Sequence, residues 1–144
     1  MKFWQAFSKK EVLKQLFFVL ALFAILIPVA IWDSDTQVKI SFTDTVIKAK
    51  SDKFSISILY DDIAQAELVP MADPGEKGED GFDNDILRCG YWSNEEWGDY
   101  AICADCDTSV CIVMRLHDGR VMVFSQKDDA TTTEKYNTLL THLK

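Results

Sequence analysis

The chain reads as α+β: a single apolar N-terminal helix, then an antiparallel β-barrel or sandwich of about seven strands, capped by a C-terminal α-helix. Three observations give this class. Leu16 to Trp32 is an unbroken run of 17 uncharged residues. Segment after segment from Gln37 to Phe124 alternates apolar and polar residues at period two. Thr131 to Lys144 instead spaces its apolar residues by three and four.

The first element is the membrane candidate. At about 1.5 Å rise per residue, 17 residues span roughly 26 Å, near the short end for a bilayer. Trp32 suits the headgroup level, and Lys14 can extend its charge outward while its methylenes stay in the apolar layer. Pro28 lies near the far end, where a missing helical hydrogen bond matters least. A cleaved signal peptide is the rival reading, but Ile27-Pro28-Val29-Ala30-Ile31-Trp32 makes a poor cleavage site. A buried core helix fits less well, because the run is apolar all round. Lys2, Lys9, Lys10 and Lys14 precede the run and Asp33 and Asp35 follow it. Basic flanks stay cytoplasmic. The expected layout is a basic cytoplasmic flank over 1–15, a transmembrane helix over 16–32, a tether over 33–36 and an extracytoplasmic domain over 37–144 of a single-pass protein of the cell membrane. Phe3, Trp4 and Phe7 among the lysines suit either a short interfacial helix or a frayed basic flank.

Charge divides the chain sharply. Residues 1–32 hold four lysines and one glutamate; removing these from totals of 15 basic and 23 acidic residues leaves 11 and 22, net −11 for the domain. Such a surface repels nucleic acid and anionic headgroups.

The strands follow in order. Val38, Ile40 and Phe42 share one face of the first, and Thr45 to Lys50 carries Val46-Ile47 and Ala49. Phe54, Ile56, Ile58 and Tyr60 alternate with Ser55 and Ser57, and Ile63 to Val69 reads as a weaker strand. Pro70 to Asp85 reads as a long solvated loop rich in acid, Gly and Pro. Ile86–Trp92 and Trp97–Cys103 flank the polar tip Ser93–Glu96 as a hairpin. Val110–Leu116 and Val121–Phe124 flank His117-Asp118-Gly119-Arg120, whose Asp-Gly pair suits a tight turn. Thr131, Thr132 or Thr133 can cap the last helix, whose stripe is Tyr136, Leu139, Leu140 and Leu143.

This order, with Tyr60-Asp61-Asp62-Ile63, Gly90-Tyr91-Trp92-Ser93-Asn94, Trp97-Gly98-Asp99-Tyr100 and Val121-Met122-Val123-Phe124-Ser125 leading through Gln126–Asp129 into the helix, resembles the bacterial pleckstrin-homology-like (PH-like) domains that follow a transmembrane segment. The resemblance covers roughly residues 36–143. It implies a scaffold for binding and assembly; it carries no catalytic residues over, and fold alone does not fix activity. The family pattern does not require the four cysteines.

Cys89, Cys103, Cys106 and Cys111 are the most site-like residues. Outside the membrane, disulfides are the default. The expected hairpins put Cys89 opposite Cys103, and Cys106 opposite Cys111 across a tip at Asp107–Val110. Free thiols and a zinc site are the alternatives, though Cys103-x2-Cys106 lacks a second close pair. A redox pair at Cys103 and Cys106 is disfavoured by Asp105 and Asp107, which raise a thiol pKa. Asp73, Glu76, Glu79, Asp80, Asp83 and Asp85 do not follow the spacing of a calcium loop. Tyr91, Trp92, Trp97 and Tyr100 form either cross-strand packing pairs or a protein-docking face. His117 and His142 have no spaced partner for a triad or a metal, so no catalytic residue and no cofactor are assigned. The expected role is non-enzymatic: a membrane-anchored domain that touches the lipid bilayer through Leu16 to Trp32 and binds a protein partner, with no nucleic acid. Two alternatives stand beside it. One is lipid-headgroup recognition through Lys48, Lys50 and Lys53; the other is an extracytoplasmic thiol- or metal-dependent enzyme.

Overall fold

A computed structural model describes the backbone of residues 9–32 and 38–144, with side chains for 9–24 and 38–144. The chain divides into two compact units, Met1–Asp35 and Thr36–Lys144.

The first unit holds α1 (Lys9–Trp32). Its apolar side chains are exposed on every side: Leu16, Phe17, Phe18, Val19 and Leu20 are consecutive and step round the axis by about 100° each. Phe17 is 76% exposed. Among the described residues no helix is long and apolar enough to cross a membrane. The expected span Leu16–Trp32 runs on into 25–32, whose side chains lie outside the described residues. The tether and the flank over 1–8 lie outside them as well.

The second unit is two β-sheets and a helix. A three-stranded antiparallel sheet joins β1 (Lys39–Phe42), β2 (Val46–Lys50) and β3 (Ser55–Leu59). A turn of 3-10 helix, Tyr60–Asp62, leads into the larger sheet. That sheet contains β4 (Ile63–Pro70), β5 (Glu76–Lys77), β6 (Phe82–Asp83), β7 (Leu87–Asn94), β8 (Gly98–Asp105), β9 (Val110–Leu116) and β10 (Val121–Phe124). Its order is β4-β9-β10-β8-β7-β5, with β6 also on β7. The final helix, α2, spans Asp129–His142. The coarse expectation of an α+β chain ending in a helix therefore holds.

The period-two faces expected for the early strands point inward. Val38, Ile40, Ile47, Ala49 and Ile58 are buried. They pack with Cys89, Cys103, Ile112, Met114, Phe124 and Leu139 in the principal core. β8, β9 and β10 are buried on both faces, and their second face forms a cluster of Trp92, Trp97, Tyr100, Ile102, Cys111, Val113 and Val123.

Three expectations need correction. β8 and β9 do not form a hairpin, because β10 lies between them, antiparallel to β9 and parallel to β8. The three apolar runs Ala101–Ala104, Val110–Met114 and Val121–Phe124 suit a two-sided interior, where residues cannot alternate with polar ones. The acidic stretch is not a free loop. β5 and β6 pair with β7, and the Gly78 N–H donates to the Tyr91 carbonyl at 2.8 Å. Gly90 permits this approach: its φ is +94°, and a β-carbon there would sit 2.2 Å from the Asp80 carbonyl oxygen. Finally, Asp128 caps α2 in place of a threonine, its carboxylate accepting from the Thr131 N–H at 2.7 Å. Leu139 of the expected stripe is fully buried, with Tyr136 and Leu143 packed beside the core and Leu140 half-buried.

Candidate functional site

The four cysteines fall in three different places. Cys89 on β7 and Cys103 on β8 are directly opposite in the antiparallel register, as expected. Both lie in the principal core, 1% and 0% exposed. The Ser51 hydroxyl, just after β2, reaches Cys89 Sγ at 3.9 Å. Burial pushes both thiols up, and Cys103, with Cys89 beside it, is pushed up to about 12.

Cys106 lies just beyond β8. Its N–H donates to the Ile86 carbonyl at 2.8 Å, and its Sγ lies 3.5 Å from the Asn84 carbonyl. Burial raises this thiol too, against the nearby Arg88 guanidinium, which lowers it. Cys111 starts the other cluster, registered opposite Val69 of β4, and burial pushes it to about 12. The expected Cys106–Cys111 pair is therefore not formed, since its hairpin does not exist. No disulfide joins any of the four in this structure. Among the described residues no group of three or more His, Cys, Asp or Glu side chains comes together as metal ligands. The two sides of the sheet separate the zinc ligands considered from sequence, and the six acidic residues from Asp73 to Asp85 are exposed, with Asp83 paired to Arg88 at 3.5 Å.

The aromatic quartet is mostly interior. Trp92, Trp97 and Tyr100 are buried, with the Trp97 and Tyr100 rings edge to face at 5.1 Å. The Tyr100 hydroxyl donates to the Pro74 carbonyl and the Trp92 indole N–H to the Cys89 carbonyl. An exposed four-residue docking face is thus replaced by one exposed ring, Tyr91, at 53%. Tyr91 lines an open groove of about 460 Å³ with Ala101, Arg120 and Met122. Its ring meets Phe54 edge to face at 6.0 Å.

The three lysines considered for headgroup binding do not converge on one pocket. Lys48 and Lys50 lie on β2, Lys50 opposite Lys39, whereas Lys53 sits over the Phe82 ring at 5.6 Å. His117 is exposed at its turn. His142 is exposed, yet its ring stacks on Tyr60 at 4.7 Å and on Phe42 at 5.5 Å, fastening the end of α2 to the small sheet.

Two residues matter that sequence reading passed over. Ser51 is one serine among several in the sequence; only the fold brings its hydroxyl to the Cys89 thiol. Asp105 stood out only as a neighbour of Cys106. It is buried, and its carboxylate accepts from the backbone N–H groups of Lys127 and Val38. Desolvation nevertheless raises its pKa above the usual value, outweighing those two bonds. Thr108 and Ser125 donate to its backbone carbonyl. One side chain thus ties together the entry of the domain, the end of β8 and the approach to α2. No protein-family model, curated protein or solved structure matches this chain.

Proposed function

We propose that this protein is a single-pass membrane anchor that displays an acidic β-rich domain outside the membrane, where the domain binds a protein partner without catalysis. The observation that carries the reading is α1: five consecutive apolar residues, exposed right round a 24-residue helix, within a 17-residue uncharged run. Exposing that surface to water costs roughly 25 cal/mol per Å², so it needs hydrocarbon or another apolar cover. The lysine-rich flank supports a cytoplasmic N-terminus. The PH-like assignment belongs to this proposal as well. Sheets followed by a terminal helix support it, while the parallel β8–β10 pair departs from a run of antiparallel hairpins.

The net charge of −11 on the domain favours a protein partner over an anionic lipid. Tyr91 and its groove are the surface offered to that partner. The test has two arms. The full chain should remain in the membrane pellet after an alkaline carbonate wash, and a chain lacking residues 1–32 should not. A fragment of residues 36–144 should fail to sediment with phosphatidylserine vesicles. Release of the full chain by carbonate would remove the anchor. Sedimentation of the fragment that is lost on substituting Lys48, Lys50 and Lys53 would favour headgroup recognition instead.

A further inference from the structure

We infer that Cys89 and Cys103 close a disulfide in the mature protein, and that Cys106 and Cys111 remain thiols. The fold distinguishes among the pairings. Residues directly opposite on antiparallel strands have Cα atoms about 4.5 or 5.5 Å apart, depending on the kind of pair, and a disulfide accepts about 4.4–6.8 Å. Cys89 and Cys103 are such a pair, on one face of the sheet, with the Ser51 hydroxyl 3.9 Å from Cys89 Sγ. The pairings of either core cysteine with Cys106 or Cys111 are too long. β10 separates β8 from β9, so Cys103 and Cys111 stand about two strand spacings, roughly 10 Å, apart. Cys89 and Cys111 are a further strand apart. Cys106 sits opposite Ile86, three residues along the strands from both Cys89 and Cys103, again roughly 10 Å. It turns toward the Asn84 carbonyl, while Cys111 lies in the cluster on the sheet's second face.

The chemistry is an exchange with a disulfide-bearing oxidant, either a thiol–disulfide oxidoreductase or oxidised glutathione. Two S–H bonds break and one S–S bond forms. Two electrons and two protons pass to the oxidant, which leaves as two thiols. Both sulfurs are covered in the folded domain, so the exchange belongs to the folding chain, before the small sheet and α2 close over β7 and β8.

The inference rests on the reading that the domain lies outside the cytoplasm, where such oxidants act. The experiment separates the two. Full-length protein is taken from its membranes in detergent, denatured without reductant and alkylated with iodoacetamide. The side of the domain is read in parallel by protease added to intact cells. With the domain outside, two adducts rather than four, a mass two hydrogens below that of a reduced chain carrying the same two adducts, and a peptide joining Cys89 to Cys103 are expected. Four adducts on an outside domain, or any other linked pair, overturn the inference. Should the domain prove cytoplasmic, the anchor's orientation is wrong, and the full chain is refolded in reduced and oxidised glutathione. Closure of Cys89 with Cys103 there still supports the pairing; closure of no pair, or of another, overturns it. Neither arm needs a folded cysteine variant.

Discussion

Replacing Asp105 probes the polar centre of the domain. The side chain is 3% exposed, and its carboxylate accepts from the N–H groups of Lys127 and Val38. Lys127 has φ of +61°, a left-handed conformation that a non-glycine residue holds only when its surroundings fix it. Asp105→Ala leaves two N–H groups without their acceptor. At about 1–3 kcal/mol for each buried unsatisfied group, the loss is about 2–6 kcal/mol, a large share of the roughly 5–15 kcal/mol that holds a typical domain folded. Asp105→Asn keeps one acceptor oxygen and removes the buried charge, so its loss at neutral pH is smaller, about 1–3 kcal/mol.

The two variants also differ in pH behaviour. The Asp105 carboxyl has a raised pKa in the fold, chiefly through desolvation. Between the unfolded value, about 3.9, and that raised value, the folded chain binds more protons than the unfolded chain. The contribution of Asp105 is therefore fully present below pH about 3.9 and declines as pH rises through the folded value. The stability gap between wild type and Asp105→Asn narrows over that window. Asp118, Asp128 and Asp129, whose pKa values are lowered by hydrogen bonds, act in the opposite sense, losing their contribution on acidification. They are common to both proteins and cancel in the difference. Urea unfolding of the full chain in detergent, followed by tryptophan fluorescence at several pH values, measures the gap. An alanine variant within about 0.5 kcal/mol of wild type, well below the cost of one orphaned N–H, would mean that Asp105 does not hold those N–H groups. A gap that widens with rising pH would mean that the pKa of the Asp105 carboxyl is not raised in the fold.

Other perturbations test the packing. Gly90→Ala places a methyl group against the Asp80 carbonyl at a positive φ, and should cost upwards of about 2 kcal/mol while exposing residues 76–83 to faster amide exchange. Leu139→Ala removes the fully buried apolar side chain of α2 and should lower stability by about 2–5 kcal/mol in the same urea assay. Asp128→Ala, which removes the α2 cap, should cost about 0.5–2 kcal/mol, and Asp128→Asn should restore most of it. Reduction of a closed Cys89–Cys103 bond frees a 15-residue loop and should lower the urea midpoint by the equivalent of about 3 kcal/mol.

What could be read from sequence was local. The polar tip between Trp92 and Trp97 set the β7–β8 hairpin and thereby the Cys89–Cys103 register. The Asp118-Gly119 turn, with Gly119 at φ +92°, set β9–β10. Insertion of β10 between β8 and β9 was not legible, because strands apolar on both faces give no parity to fix their neighbours. The pairing of Cys106 with Cys111 failed for that reason alone. β5 and β6 escaped notice because they are two residues each, held by backbone bonds and by the missing side chain of Gly90. Tyr91 shares the strand face of Leu87 and Cys89, so alternation points it inward, yet it is exposed while Trp92 on the opposite face is covered. That covering comes partly from Met71 and Ala72, a contact no local pattern announces.

If α1 crosses the membrane, residues 36–144 lie outside. Protease added to intact cells tests this placement most directly. With α1 across the membrane, the domain is lost to protease without lysis, leaving a membrane-held N-terminal remnant. A domain that survives until the cells are opened, or a chain recovered whole in the soluble fraction, would contradict it.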